Sequence, residues 1–243
     1  KTAYEIMPSL VGSEMCIRDR ISENIQKIYD DFQENCKLSG RNHKDVILIG
    51  ASKSQSIANI REAYNAGLKN FGENYLQEAE NKIKSLEGDF IWHFIGSIQS
   101  RKAKKIAEIF DWVHTVENIK VAKKLNIARP HSKGPLNICM QINIDLEESK
   151  SGLHINDLES IIEESRNLEN IRIRGLMVIP KPRESIEEQK KVFKKVKEIY
   201  RALIEKGINL DTLSMGMSSD YGPAIQEGAT MVRIGTGIFG PRK

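Results

Sequence analysis

From residue 21 onward, short apolar runs alternate with longer segments in which apolar residues recur at helical spacing. The runs have the length of buried strands, and the segments between them have the period of amphipathic helices. An opening helix is predicted from Ile21 to about Cys36. The predicted strands are 46–50, 70–72, 91–95, 112–115, 137–143, 173–179, 212–215 and 231–234. The predicted helices between them are 57–66, 75–86, 102–110, 119–127, 155–167, 185–206 and 221–227.

Eight strands that alternate with helices predict an α/β fold, specifically a (β/α)8 TIM-type barrel with an additional N-terminal helix. A doubly wound open sheet is the alternative. The first strand is not followed by a GxGxxG turn, which disfavours a dinucleotide-binding sheet. We therefore expect residues 21–243 to form a single barrel domain.

The first twenty residues, KTAYEIMPSLVGSEMCIRDR, fit this pattern poorly. They show no amphipathic period and no signal-peptide core, and their three acidic residues argue against a transit peptide. We expect residues 1–20 to be a non-native or disordered segment.

The amino-acid composition argues against a membrane-spanning, a nucleic-acid-binding and a metal-binding protein. Hydrophobic residues make up 40% of the chain and charged residues 29%, and the apolar runs are far shorter than the ~20 residues of a membrane span. The net charge of +4, from 37 basic and 33 acidic residues, does not call for nucleic acid. Three cysteines without a CxxC pair indicate a reducing cytoplasm, and the five histidines form no metal-binding motif, so we predict no metal.

Candidate chemistry lies where the predicted strands end. Lys53 follows the first strand and is either a solvated charge or a desolvated amine able to react with an aldehyde. The loops at 214–219 and 233–237 follow strands seven and eight, where barrels often bind phosphate, although both loops also suit ordinary capping. Taken together, the three positions favour a cofactor that carries an aldehyde and a phosphate.

Several motifs in order resemble the pyridoxal phosphate homeostasis protein family, which is related to the N-terminal barrel of alanine racemase. The resemblance runs from about residue 21 to residue 241. The motifs are ASK at 51–53, FGENYLQE at 71–78, WHFIGSIQSRK at 92–102, SKSG at 149–152, GLMVIP at 175–180, SMGMSSD at 214–220 and VRIGTGIFG at 232–240.

The resemblance implies a site for pyridoxal 5′-phosphate (PLP). Lys53 would form a covalent aldimine with the cofactor, and Arg233 would face the pyridine nitrogen and keep the ring a weak electron sink. Ser218, Gly235 and Thr236 would hold the phosphate. Asn74, His93 and Met177 would line the cofactor, although each also suits an ordinary structural role. No catalytic residue is assigned.

Three functions remain open at this point. The first is a monomeric cytoplasmic carrier that binds PLP, limits the free aldehyde and passes it to apo PLP-dependent enzymes. The second is a PLP-dependent amino-acid racemase or related enzyme. Racemisation needs a second base, which alanine racemase takes from a second domain, and the barrel pattern here runs to Lys243. We therefore favour a carrier without robust turnover. The third is an interaction module whose lysine is incidental.

Overall fold

Eight parallel strands close into a barrel in the computed structural model, which describes residues 7–146 and 151–241, with side chains from residue 20 onward. Each strand pairs with its neighbours in chain order, and β8 closes the ring against β1. The strands are β1 (Ile47–Ala51), β2 (Asn70–Glu73), β3 (Ile91–Phe94), β4 (Trp112–Val116), β5 (Leu136–Gln141), β6 (Ile171–Met177), β7 (Thr212–Ser214) and β8 (Met231–Ile234). The predicted (β/α)8 barrel is confirmed.

Helices surround this barrel. The described residues contain α1 (Met7–Leu38), α2 (Ile57–Asn65), α3 (Leu76–Ser85), α4 (Ala103–Ile109), α5 (Ile119–Ala128), α6 (Leu158–Glu164), α7 (Ile186–Glu205), α8 (Tyr221–Gln226) and α9 (Thr236–Phe239). Helix α1 begins at Met7 rather than at the predicted Ile21. Part of the segment 1–20 therefore belongs to a helix, whereas residues 1–6 lie outside the described residues, as do residues 147–150 of the SKSG motif and its flank.

The core has two parts because the strands expose one face to the helices and the other to the barrel interior. The larger part fills the space between strands and helices. The smaller part fills the interior with five buried apolar side chains, one from each of five strands. These are Ile49, Trp112, Cys139, Met177 and Met231. The interior is therefore packed at this level, and the space for a ligand lies above it, toward the carboxyl ends of the strands.

Local capping fixes where several helices begin. The side chains of Ser56, Asn118 and Ser185 each accept a hydrogen bond from a backbone N–H in the first turn of α2, α5 and α7. Such caps satisfy donors that the helix itself leaves unpaired. The sequence SIEE at 185–188 has the capping-box pattern, and helix α7 begins within one residue of its predicted start.

Candidate functional site

A pocket of about 230 Å³ opens at the carboxyl ends of the strands. It is smaller than the roughly 300–1,000 Å³ of sites for drug-sized molecules, which suits a compact ligand. Its lining comes mainly from the ends of β1 and β8 and from the segments that follow β1, β7 and β8. The lining residues are Ala51, Lys53, Gln55, Asn74, Ile95, Ile179, Met217, Ser218, Arg233, Gly235, Thr236 and Gly240. Six of the eight predicted site residues are thus brought together.

Lys53 reaches the pocket because it stands two residues beyond the end of β1. Inward and outward positions alternate along a strand, so the inward series Ile49, Ala51 continues to residue 53. Lys53 is half-buried, and its Nζ lies 5.9 Å from the centroid of the Tyr75 ring. The amine is therefore held at the rim of the pocket beside an aromatic ring.

Two hydroxyl groups meet at another side of the pocket. Thr236 Oγ1 donates to Ser218 Oγ at 3.2 Å, which joins the loop after β7 to the start of α9. Asp220 stabilises the loop after β7, since its carboxylate accepts a hydrogen bond from the backbone N–H of Met217 at 2.6 Å. Burial is the main influence on Asp220 and raises its pKa, with the Met217 hydrogen bond and the charge of Arg233 acting against the rise. The arrangement offers hydroxyl donors of the kind that bind a phosphate.

Asn74 is placed by a close contact between two loops. A Cβ atom added to Gly96 would lie 2.1 Å from the carbonyl oxygen of Asn74, so only glycine fits at that position. The loop after β3 can therefore pack directly on the loop after β2. Asn74 itself belongs to the lining of the pocket.

Comparison with known proteins gives the relationship of this chain. The family model described as alanine racemase, N-terminal domain, matches residues 21–243. The pyridoxal phosphate homeostasis protein of Pseudomonas aeruginosa is 47% identical over 223 residues, which cover 91% of this chain and 96% of that protein. The protein of the same name from Escherichia coli K12 is 39% identical and is covered to 97%. The chain belongs to the pyridoxal phosphate homeostasis protein family.

Solved structures agree with this family. PipY of Synechococcus elongatus PCC7942, solved with PLP bound, has 35% identity and a TM-score of 0.79, with 90% of this chain and all of that chain covered. Alanine racemase of Clostridium difficile 630 has a TM-score of 0.73 over 92% of this chain and 60% of its own. Its identity is 14%, so this second likeness shows the fold alone. The resemblance stated from the motifs is confirmed.

Arg233 enters the pocket from below, through a buried position on β8. One guanidinium nitrogen donates to Ser214 Oγ at 2.6 Å, and the other donates to the carbonyl oxygen of Val178 at 2.9 Å. Burial lowers the pKa of Arg233 to about 10, opposed by the charge of Asp220. The guanidinium therefore remains positive at neutral pH and is fixed in orientation by two acceptors.

A chain of hydrogen bonds continues from Arg233 across the barrel interior. Ser214 Oγ lies 2.8 Å from His114 Nδ1, and His114 Nε2 lies 2.9 Å from His93 Nδ1. His93 Nε2 in turn lies 3.0 Å from Asn70 Oδ1. These hydrogen bonds thus link Arg233 on β8 to Asn70 on β2 through residues on β7, β4 and β3, across the barrel interior.

Both histidines in this series of hydrogen bonds, His93 and His114, are neutral. Burial lowers the pKa of His93 to about 3 and, with the charges of His93 and Arg233, lowers the pKa of His114 well below 6.5. Because Asn70 presents its carbonyl oxygen, His93 must carry its proton on Nε2 and donate it to Asn70. His93 Nδ1 is then an acceptor, so it must receive a hydrogen bond from His114. His114 also carries its proton on Nε2, and Ser214 donates to His114. Every donor in the chain points from Arg233 toward Asn70.

The remaining two predicted residues, His93 and Met177, lie in the barrel interior and are fully buried. Met177 packs in the interior apolar layer, and His93 reaches Arg233 only through His114 and Ser214. Sequence reasoning missed Ser214 and His114. Alternation along the strands was the available signal, since His114 lies two residues after Trp112 on the same inward face.

Neither a membrane span nor a metal cluster occurs among the described residues. No helix there is long and apolar enough to cross a membrane. Within the same residues, no group of three histidine, cysteine, aspartate or glutamate side chains is arranged to hold a metal ion. Cys139 lies in the barrel interior, where burial raises the pKa of its thiol to about 12 and keeps it protonated.

Proposed function

We propose that this protein binds pyridoxal 5′-phosphate in the pocket at the strand ends and acts as a carrier that maintains the supply of the cofactor. One observation carries the proposal. The pocket gathers a lysine amine, a pair of hydroxyl groups and a guanidinium group within about 230 Å³. The names of the relatives and the PLP bound in PipY support the same ligand.

The donor set fits the chemical groups of this cofactor. Ser218 and Thr236, whose hydroxyl oxygens lie 3.2 Å apart, would hold the phosphate with the backbone at Gly235. Arg233 would face the pyridine nitrogen. A group that can only donate disfavours a protonated ring nitrogen, which keeps the ring a weak electron sink. That electronic state suits storage better than carbanion chemistry.

Lys53 would hold the cofactor covalently. PLP would supply an aldehyde that reacts reversibly with a primary amine, and Lys53 would be the residue that offers this amine. A half-buried amine at the rim keeps the aldehyde away from exposed amines on other proteins while still allowing release. Asn74 would lie beside the cofactor, and the buried His93 and Met177 would support it from below.

We further propose that the protein works as a cytoplasmic monomer and delivers PLP to apo PLP-dependent enzymes. Reversible capture on one shielded lysine supports this role, because an apo-enzyme with a tighter site would withdraw the cofactor by mass action. A carrier of this kind needs no robust turnover of its own.

The proposal is tested by mixing the purified protein with PLP, reducing with borohydride and locating the adduct by mass spectrometry. We expect one adduct per chain, on Lys53, and none at the site in Lys53→Ala. Lys69→Ala is the matched control, since Lys69 also lies over a tyrosine ring, 4.0 Å from the centroid of Tyr64. An adduct spread over many lysines would contradict a specific site.

The carrier role has its own test. We expect no significant exchange between D- and L-amino acids when the PLP-loaded protein is assayed. Robust exchange that is lost in Lys53→Ala would contradict the carrier role and indicate a racemase.

A further inference from the structure

Lys82 of α3 lies directly beneath the backbone that flanks Lys53. Its Nζ donates to the carbonyl oxygen of Ser52 at 2.7 Å, to Glu73 Oε1 at 2.8 Å and to Glu78 Oε1 at 2.6 Å. An ammonium group has three N–H donors, so these three bonds use all of them. Lys82 has no donor left for a ligand, and its role concerns the protein itself.

The same two carboxylates reach the residues on either side of Lys53. The hydroxyl of Ser52 donates to Glu73 Oε1 at 2.5 Å, and the backbone N–H of Ser54 donates to Glu78 Oε1 at 2.6 Å. Ser54 has a φ of +62°, a left-handed conformation that is unfavourable for serine and persists where its surroundings fix it. Residues 52 and 54 are therefore both held by one network centred on Lys82.

This network is a costly way to stabilise a helix against a strand. The side chains of Lys82 and Glu73 are 5% and 0% exposed, and Glu73 Oε2 has no hydrogen-bond partner among the described residues. Burial raises the pKa of Glu73, and the hydrogen bonds from Lys82 and Ser52 act against that rise. Apolar pairs at such positions often stabilise a fold as well or better, so a buried ion pair points to a requirement for a specific local conformation.

We propose that Lys82 is a positioning residue that fixes the backbone on both sides of Lys53 and so directs the Lys53 amine into the pocket. The proposal rests on the proposed function only in taking Lys53 as the amine that captures PLP. Phosphate binding is assigned to Ser218 and Thr236 on other loops, so the network should control capture and leave phosphate affinity unchanged.

The first test uses Glu78→Ala, which removes the acceptor for Ser54 and one of three acceptors for Lys82. Glu80→Ala is a close control, because both glutamates lie on α3, are 27% exposed and pair with a lysine. The rate of covalent capture of PLP is followed by borohydride trapping and mass spectrometry, and the affinity for inorganic phosphate by competition with PLP. We expect capture to slow by about tenfold in Glu78→Ala at unchanged phosphate affinity, because small misplacements of a reacting group reduce rates strongly. Glu80→Ala should match the wild type.

The second test removes the buried pair as a unit. Lys82→Met combined with Glu73→Leu leaves no unpaired buried charge, so the fold is retained while the tether to Ser52 is lost. Lys84→Met, at an exposed position on the same helix, is the control. We expect capture in the double variant to slow by roughly 10- to 100-fold.

The outcomes separate the two proposals. Wild-type protein that captures no PLP on Lys53 would overturn the proposed function itself. Wild-type capture together with a wild-type rate in both Glu78→Ala and the double variant would overturn the role of Lys82 and leave the proposed function intact. Equal losses of capture rate and phosphate affinity would also overturn it, since they indicate a general disturbance of the barrel rim.

Discussion

Ser214 is the residue on which the orientation of Arg233 depends most directly. Its hydroxyl accepts from the Arg233 guanidinium and lies 2.8 Å from His114 Nδ1, and its side chain is fully buried. A serine that both accepts and donates is needed there because an arginine can only donate and the neutral His114 ring presents an acceptor. Among small neutral side chains, only serine, threonine and cysteine can both donate and accept a hydrogen bond.

Replacing Ser214 with alanine is therefore expected to leave a buried guanidinium N–H without a partner. The free energy of unfolding should fall by about 1–3 kcal/mol, the usual cost of a buried unsatisfied group. Urea denaturation of Ser214→Ala measures the change. Ser219→Ala, at an exposed position in the following loop, should differ from the wild type by less than about 0.5 kcal/mol. Equal stability of the two variants would contradict the buried hydrogen bonds of Ser214 with Arg233 and His114.

At the residue scale, the sequence predicted those side chains whose place is set by their position along a strand. Lys53 and the loops at 214–219 and 233–237 were placed together because strand ends meet at one face of a barrel, and the family resemblance singled out Ser218 and Arg233 within those loops. Lys82 was missed because its partners lie on other elements, although a lysine three residues after the buried Ala79 on an amphipathic helix was a usable signal. Alternation along β4 was a signal that His114 faces inward, but its pairing with Ser214, 100 residues away, cannot be predicted from a single sequence.

Helix α1 supports the elements that carry the proposed phosphate site. The amide of Asn24 donates to the carbonyl oxygen of Ile238 in α9 at 2.9 Å, and the hydroxyl of Tyr221 in α8 donates to Asp31 at 2.5 Å. Phe32, the next residue along α1, is fully buried, and its ring centroid lies 5.8 Å from that of Tyr221. The additional helix thus braces both loops that follow β7 and β8.

Truncating Phe32 should consequently loosen this brace. Phe32→Ala is expected to lower the free energy of unfolding by about 3–5 kcal/mol, because it removes apolar contacts and leaves a cavity. Hydrogen exchange should speed up most in α1 and α8 and least in α4 and α5, on the far side of the barrel. Phe32→Leu, which keeps most of the volume, should show a smaller change of the same pattern. Uniform exchange throughout the barrel would argue against a local brace.

The observed bounds of the strands and helices show how well the apolar pattern predicts where each element begins and ends. Strand β8 was predicted at its observed bounds, since Met231, Val232 and Ile234 form a short apolar run that only Arg233 interrupts. Helix α6 is shorter than predicted at both ends. Residues 155–157 form a 3-10 turn that the apolar spacing does not distinguish from an α-helix, and residues 165–167 form a turn after the helix ends at Glu164. Helix α9 has only four residues, too few to produce a recognisable period, and it is not among the predicted helices.

On the scale of the whole molecule, the neutral histidines inside the barrel couple folding to pH. The pKa of His93 is about 3 in the folded protein, whereas an unfolded histidine titrates near 6.5. Below pH 6.5 the unfolded chain therefore binds protons that the folded protein excludes, and acid favours unfolding. His114, whose pKa is also well below 6.5, acts in the same direction. Glu73 and Asp220, whose pKa values are raised, act in the opposite direction at lower pH.

We expect the stability of the protein to fall between about pH 6 and pH 4, with each buried histidine contributing up to about 1.4 kcal/mol per pH unit. His93→Gln isolates one of them, because glutamine supplies a donor toward Asn70 and an acceptor toward His114 but does not titrate. Urea denaturation at several pH values should give this variant a slope shallower by about 1.4 kcal/mol per pH unit. His131→Gln, at an exposed position, should retain the wild-type slope. A wild-type slope in His93→Gln would show that His93 is already charged in the folded barrel, and the direction of the hydrogen-bond chain to Arg233 would then have to be reassigned.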